Sequence, residues 1–175
     1  MEKDINLNIA LNLEKMLRFC GYDVIMTRNE DVATDSTDSQ KISYRKKSDL
    51  KNRLALMEKY PNSVFVSVHL NKFTTTAANG AQVFYSKNFD ESKKMAFCVQ
   101  NSISTMLQPT NKRVIKQGTS STYLLHNARI PAIIVECGFL SNNSDLKKLK
   151  DNEYQSQMAF CICSGIIEFF SDDNE

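Results

Sequence analysis

Two short apolar runs constrain this chain more than any other feature. Ser63 to His69 reads S-V-F-V-S-V-H, and Pro131 to Glu136 reads P-A-I-I-V-E. Each is β-prone and too short to be a helix, as expected of strands buried inside a sheet. Ser63–His69 is expected to be a central strand, and Ala132–Val135 another. Each run ends in a residue able to do chemistry. A carboxylate placed after five apolar residues is costly to ionise unless a cation or hydrogen bonds compensate. Glu136 is therefore a functional candidate in its own right. A histidine at a strand end is more often structural, and His69 gains weight from standing beside this carboxylate in the pattern.

The intervening segments alternate helix with strand. Residues 4–19 carry Ile5, Ile9, Leu13, Met16 and Leu17 at helical spacing, with Gly21 as a stop. Helices are also predicted over 47–59, 90–107 and 155–170. They bury Leu50, Leu54 and Met57, then Met95, Val99, Ile103 and Met106, then Met158, Cys161, Ile162, Ile166 and Phe169. Short strands are expected at Tyr22–Met26, Ala81–Tyr85 and Thr122–Leu125. Polar loops are expected at Thr27–Asp38, Thr74–Gly80 and Gln108–Ser121. The alternation predicts a single α/β domain over residues 1–170, with a mostly parallel central sheet and helices on both faces. Residues 171–175 form an acidic tail. In such sheets functional groups gather at the carboxyl ends of strands, where His69 and Glu136 are expected.

The chain has 175 residues, 42% hydrophobic and 24% charged, enough for one domain with a substantial core. A net charge of +2 excludes a strong electrostatic case for nucleic acid. The densest basic stretch, Arg45, Lys46, Lys47, Lys51 and Arg53, is interrupted by Ser48 and Asp49 and reads as a solvated helix face. No apolar run approaches the ~18 residues of a membrane span. No signal peptide is visible, because Glu2, Lys3 and Asp4 follow Met1. The five cysteines, Cys20, Cys98, Cys137, Cys161 and Cys163, include no C-x-x-C pair and read as buried free thiols.

Four blocks in order carry a resemblance: E-K-D-I-N-L-N-I-A-L from Glu2, F-V-S-V-H-L-N ending at Asn71, G-A-Q-V-F-Y-S from Gly80, and P-A-I-I-V-E-C-G-F-L-S-N from Pro131. Weaker matches are M-T-R at Met26–Arg28, D-L-x-x-R at Asp49–Arg53, and Tyr154-Gln155. Together they resemble the type 3 N-acetylmuramoyl-L-alanine amidases, and most nearly the small spore-cortex subtype. These enzymes cleave the bond between N-acetylmuramic acid and the L-alanine of the peptidoglycan stem peptide.

The resemblance implies a zinc enzyme with Glu2 and His69 as metal ligands and Glu136 as the catalytic carboxylate. Asn71 would orient the turn or the substrate. His126 matches no ligand position and reads as a surface or packing residue. The family pattern opens with a strand and a G-H-G-G segment whose histidine is the first zinc ligand. No such segment occurs in these residues, so the expectation is an N-terminally truncated domain lacking its first strand and third protein ligand, with impaired activity. The implied partners are a peptidoglycan strand with its stem peptide and an accessory protein. The implied location is extracytoplasmic, at the cell wall or spore cortex. The competing reading is a non-catalytic peptidoglycan- or partner-binding remnant of the same fold.

Overall fold

The computed structural model describes residues 1–30 and 41–171. Most of the loop expected at Thr27–Asp38, and the acidic tail beyond Ser171, lie outside the described residues. The first helix, α1 (Glu2–Phe19), buries Ile5, Ile9, Leu13 and Leu17 along one stripe. Glu2 and Asp4 sit in its first turn, where the helix dipole favours negative charge. Gly21, at φ 89°, reverses the chain after it. Helix α2 (Ile42–Glu58) follows, then strands β1 (Phe65–Asn71) and β2 (Gln82–Tyr85), and helix α3 (Asp90–Met106). Next come a two-residue strand β3 (Lys116–Gln117), helix α4 (Tyr123–Asn127), strand β4 (Ala132–Phe139), and helices α5 (Asn143–Leu149) and α6 (Asn152–Ser171).

The sheet order is β1-β4-β2-β3. The β1–β4 and β2–β3 pairs are parallel and β2–β4 is antiparallel, giving the expected mixed but mostly parallel sheet. Side chains alternate between its faces. Ile133, Val135 and Cys137 of β4 join one buried cluster with α1, α3 and α6. Ala132 and Ile134 face a smaller cluster with Met57 of α2 and with Leu124 and Leu125 of α4. Helices thus cover both faces, as expected of an α/β domain. Each fully buried aliphatic side chain stabilises this arrangement by about 1.5–3 kcal/mol.

Several local expectations are corrected. Tyr22–Met26 is not in a strand. Tyr22 and Val24 pack on the large cluster, but no backbone ladder supports the segment among the described residues, and a strand needs a ladder as well as a pattern. Ser63–His69 contributes an edge strand, β1, and the central position belongs to β4. Thr122–Leu125 is the start of helix α4; its apolar run is short enough to serve either state. Met106, expected inside, is 49% exposed, because α3 ends there and its last turn leaves the core. Helix α5 and strand β3 were not expected.

Candidate active site

His69 and Glu136 are register partners on the neighbouring parallel strands β1 and β4. Registered residues on adjacent strands point to the same face. Alternation from Phe65 and from Ala132 puts both on the face covered by α2 and α4. On the far side of β4, Gln82 of β2 is paired with Glu136, so His69, Glu136 and Gln82 form one row across three strands. The row lies near the carboxyl ends of β1 and β4, where the ladder changes register: His69 faces Glu136, whereas Asn71 faces Phe139. The extra residue makes a bulge at Gly138, whose φ is 157°. A Cβ there would lie 3.2 Å from the Asp145 carboxylate and from the Leu149 side chain.

The G-F-L-S-N block is thereby explained locally. The Asp145 carboxylate accepts from the backbone N–H of Phe139 at 3.0 Å and of Gly80 at 2.9 Å, tying the end of β4 to the loop before β2. The Asn142 side chain caps α5 by accepting from the Asp145 N–H. Asn71 contributes its backbone carbonyl, which accepts from the Leu140 N–H at 2.8 Å, and so helps hold the turn.

Glu2, at the exposed start of α1, acts electrostatically on both His69 and Glu136. The charge of Glu2 is thus felt by both members of the strand pair. Burial raises the Glu136 carboxyl to about 7, and the negative charge of Glu2 adds to the rise. Its Oε2 is buried without a hydrogen-bond partner. Burial likewise holds His69 below its ordinary value. Glu2 opposes that effect, and the cations Arg53 and Lys46 of α2 reinforce it. His69 is thus a neutral imidazole near pH 7, the form that ligates metals.

Two contributors escaped the sequence reading. Arg53 is held by a bidentate pair with Asp49, at 2.8 and 3.2 Å, and donates to Thr27 Oγ1 at 3.1 Å. Its signal was present in the weak D-L-x-x-R match, yet the basic stretch around it suggested only a solvated face. A cavity of about 300 Å³ opens beside it, lined by Thr27, Asn52, Arg53, Ala55, Leu56 and Lys59. The other is Arg113, which donates to Gln82 Oε1 at 3.1 Å and to the Asn79 carbonyl at 2.6 Å, and stacks 4.6 Å from the Phe139 ring centroid. It lies in a polar loop with no sequence signal of its own. His126 is exposed on α4, as expected.

A neutral imidazole, an exposed carboxylate and a buried carboxyl with an orphaned oxygen suit a borderline-soft cation such as zinc in donor chemistry. In number they fall short, since no group of three or more His, Cys, Asp or Glu able to hold a metal occurs among the described residues.

The chain is also similar to known proteins. A family profile described as N-acetylmuramoyl-L-alanine amidase matches residues 1–168. The germination-specific N-acetylmuramoyl-L-alanine amidase of Bacillus subtilis is 31% identical over 175 residues, covering 100% of this chain and 73% of that protein. The CwlD amidase of Clostridioides difficile, solved in complex with the GerS lipoprotein, is 36% identical, with a TM-score of 0.93 over 98% of this chain and 87% of the other. The amidase AmiC2 of Nostoc punctiforme is 26% identical, with a TM-score of 0.79 over 97% of this chain and 84% of the other. On this profile match and these likenesses, joined to a half-buried His–Glu pair on neighbouring strands, the chain belongs to the N-acetylmuramoyl-L-alanine amidase family.

Proposed function

We propose that this domain is a zinc-dependent peptidoglycan amidase, cutting the bond between N-acetylmuramic acid and the L-alanine of the stem peptide in spore cortex. The observation that carries the reading is the register pairing of His69 with Glu136, and the charge of Glu2 acts on both. Glu2 and His69 would hold the metal, which supplies Lewis acidity toward the amide carbonyl and toward a bound water. Glu136 is poised to take a proton at the free Oε2 and return it to the departing alanine nitrogen, since a carboxyl near 7 exchanges protons readily at neutral pH. Gln82 and Arg113 would orient polar groups of the substrate along the same row. Residues 1–170 form the catalytic domain and act outside the cytoplasm. An accessory protein is a reasonable partner, because the Clostridioides relative was solved with a lipoprotein. No helix among the described residues is long and apolar enough to cross a membrane.

Two protein donors are one fewer than a catalytic zinc commonly has, so these residues alone are expected to hold zinc weakly. That shortfall is the one observation favouring the second reading, a binding domain without competent metal. One experiment separates the two. New L-alanine amino termini released from purified peptidoglycan are measured alongside zinc content, at saturating zinc. Glu136→Ala is expected to keep the metal and lose about 10²–10⁴-fold in rate. His69→Ala is expected to lose metal and activity together. Near-normal turnover of Glu136→Ala would reduce Glu136 to a structural carboxyl. Zinc loss from Glu136→Ala as complete as that from His69→Ala would make Glu136 a ligand. No turnover in the unaltered chain at saturating zinc would leave the binding domain standing.

A further inference from the structure

Arg113 stands half-buried at the end of the row that runs from His69 through Glu136 to Gln82. Gln82 and Glu136 are register partners, so their side chains leave the sheet on one face. The Gln82 amide is fixed at both ends. Its Nε2 donates to the Val114 carbonyl at 2.7 Å, and its Oε1 accepts from Arg113 Nη1 at 3.1 Å. Arg113 Nε donates to the Asn79 carbonyl, and the guanidinium lies 4.6 Å from the centroid of the Phe139 ring. The backbone beneath it is tied down as well. The Arg113 N–H donates to Asn111 Oδ1 at 3.0 Å, and Asn111 Nδ2 donates to the Ala81 carbonyl at 2.8 Å, just before β2. This guanidinium is held without a carboxylate: no ion pair of Arg113 occurs among the described residues. Asp145 engages the N–H groups of Gly80 and Phe139 instead. Of the five guanidinium N–H groups, those on Nε and Nη1 that meet Asn79 and Gln82 bond neutral oxygens, and the others have no acceptor among the described residues. The segment 108–121 adds Lys112 and Lys116 and contains no acidic residue.

We propose that Arg113 is a specificity-determining residue that binds a carboxylate on the second residue of the stem peptide. The inference rests on the peptidoglycan substrate proposed above. The sign of the charge selects the side of the substrate. The muramic acid carboxyl is already engaged in the amide to be cut, so the free carboxylates belong to the peptide. Distance selects the residue. Gln82 lies one strand spacing, about 4.8 Å, from Glu136, and Arg113 stands at the far end of the Gln82 side chain. A peptide advances at most about 3.3–3.6 Å per residue. With the scissile amide at Glu136, the first stem residue falls short of Arg113, and the second is the nearest that can reach it. A planar guanidinium with free N–H groups meets a carboxylate through parallel charge-assisted hydrogen bonds. Gln82, Asn79 and Phe139 already hold the fork in place, so little side-chain freedom is lost on binding.

The test uses the metal-free 175-residue chain and two probes of equal size, N-acetylmuramoyl-L-alanyl-D-glutamate and its diamide. Affinity is measured by NMR titration at about pH 7, where carboxylates are ionised. Binding is thereby read apart from turnover. The wild-type chain is expected to bind the dicarboxylate about 10-fold more tightly than the diamide. Arg113→Gln should bring the two affinities together by weakening the dicarboxylate alone. Arg113→Lys keeps the charge but not the fork, and should keep part of the preference. Thermal melting checks that each variant is folded. Equal affinity of the wild-type chain for the two probes, a result that needs no substitution, would overturn the proposal. So would an Arg113→Gln that weakens both probes alike, since that is a structural role. Release of L-alanine amino termini from the same probes at saturating zinc is scored separately. Discrimination without release would keep the carboxylate site and refute the amidase reading; release without discrimination would do the reverse.

Discussion

The two faces of the sheet are built to different rules. The face covered by α1, α3 and α6 is almost wholly apolar, with Ile9, Val83, Met95, Val99, Ile133, Val135, Met158 and Ile162 fully buried. The face covered by α2 and α4 has a small apolar patch at the amino end of β4, then gives way to the row His69, Glu136 and Gln82. On the helices of the first face the buried polar atoms without a partner are uncharged, the Asn6 Oδ1 of α1 and the Ser102 hydroxyl of α3. On the second, a carboxyl oxygen is buried without a partner, and ionisable groups sit in unfavourable surroundings. One face supplies the stability that allows the other to hold chemically useful but costly groups. Alterations to the first should therefore change stability most, and alterations to the second should change chemistry, or even improve stability.

The largest effect on stability is expected at Gly165 of α6. A Cβ there would lie 2.5 Å from the Val99 Cα and 2.7 Å from its nitrogen, both backbone atoms of α3. Neither can move aside as a side chain could, so Gly165→Ala must push two core helices apart. A cost of about 3 kcal/mol is expected, read from urea or thermal unfolding. Per-molecule activity of the fraction still folded should change little. A neutral result would mean that this face is packed more loosely than the contact implies.

This division was only half legible beforehand. The apolar stripes of α1, α3 and α6 have helical periodicity and emerged with their buried residues almost intact, Met106 excepted. Periodicity reports burial, and burial is what the first face consists of. His69 and Glu136 were legible because each follows an apolar strand, and Glu2 only through the family resemblance. On its own, Glu2 is an ordinary first-turn carboxylate. Arg113 and Gln82 were not legible: their meaning comes from a hydrogen bond across 31 positions in sequence, which no local pattern encodes. Tyr22–Met26 misled for a related reason, since its alternation specifies which side chains are inside but not whether a neighbouring backbone is there to pair.

On the polar face a substitution should stabilise. The folded state raises the Glu136 carboxyl from 4.5 to about 7, so the folded protein binds that proton more tightly than the unfolded chain does. Below pH 4.5 both states are protonated and Glu136 contributes no penalty. As pH rises through 4.5 towards 7 the unfolded chain releases its proton first, stability falls, and above about 7 the loss is complete. Glu136→Gln removes the ionisation, and in metal-free protein it should melt higher than wild type at about pH 8 and equally at about pH 4. The upper bound on the gain is about 3 kcal/mol. Residual hydration of the carboxyl lowers this, and about 1 kcal/mol is expected. A uniform change at both pH values would mean that the effect is packing and not ionisation.

The smallest effect, and the finest test of the polar face, is at Arg53. Burial is the main reason His69 sits below its ordinary value. Arg53 adds to that, while Glu2 works against it. Replacing Arg53 with Gln keeps a comparable stem and amide donors but removes the charge, and it leaves Asp49 without its bidentate partner. Both changes make the surroundings of His69 more negative, so protonation becomes easier. The imidazole should titrate a few tenths of a pH unit higher in Arg53→Gln than in wild type. The burial, which is the larger cause of the lowering, is untouched. Proton NMR of the His69 ring in metal-free protein reads this directly, with exposed His126 as an internal control. The increment should shrink as salt is added, since part of the path between the charges is open to water. A shift downward, or one as large for His126 as for His69, would mean that Arg53 does not act on the site, and that α2 covers this face without tuning it.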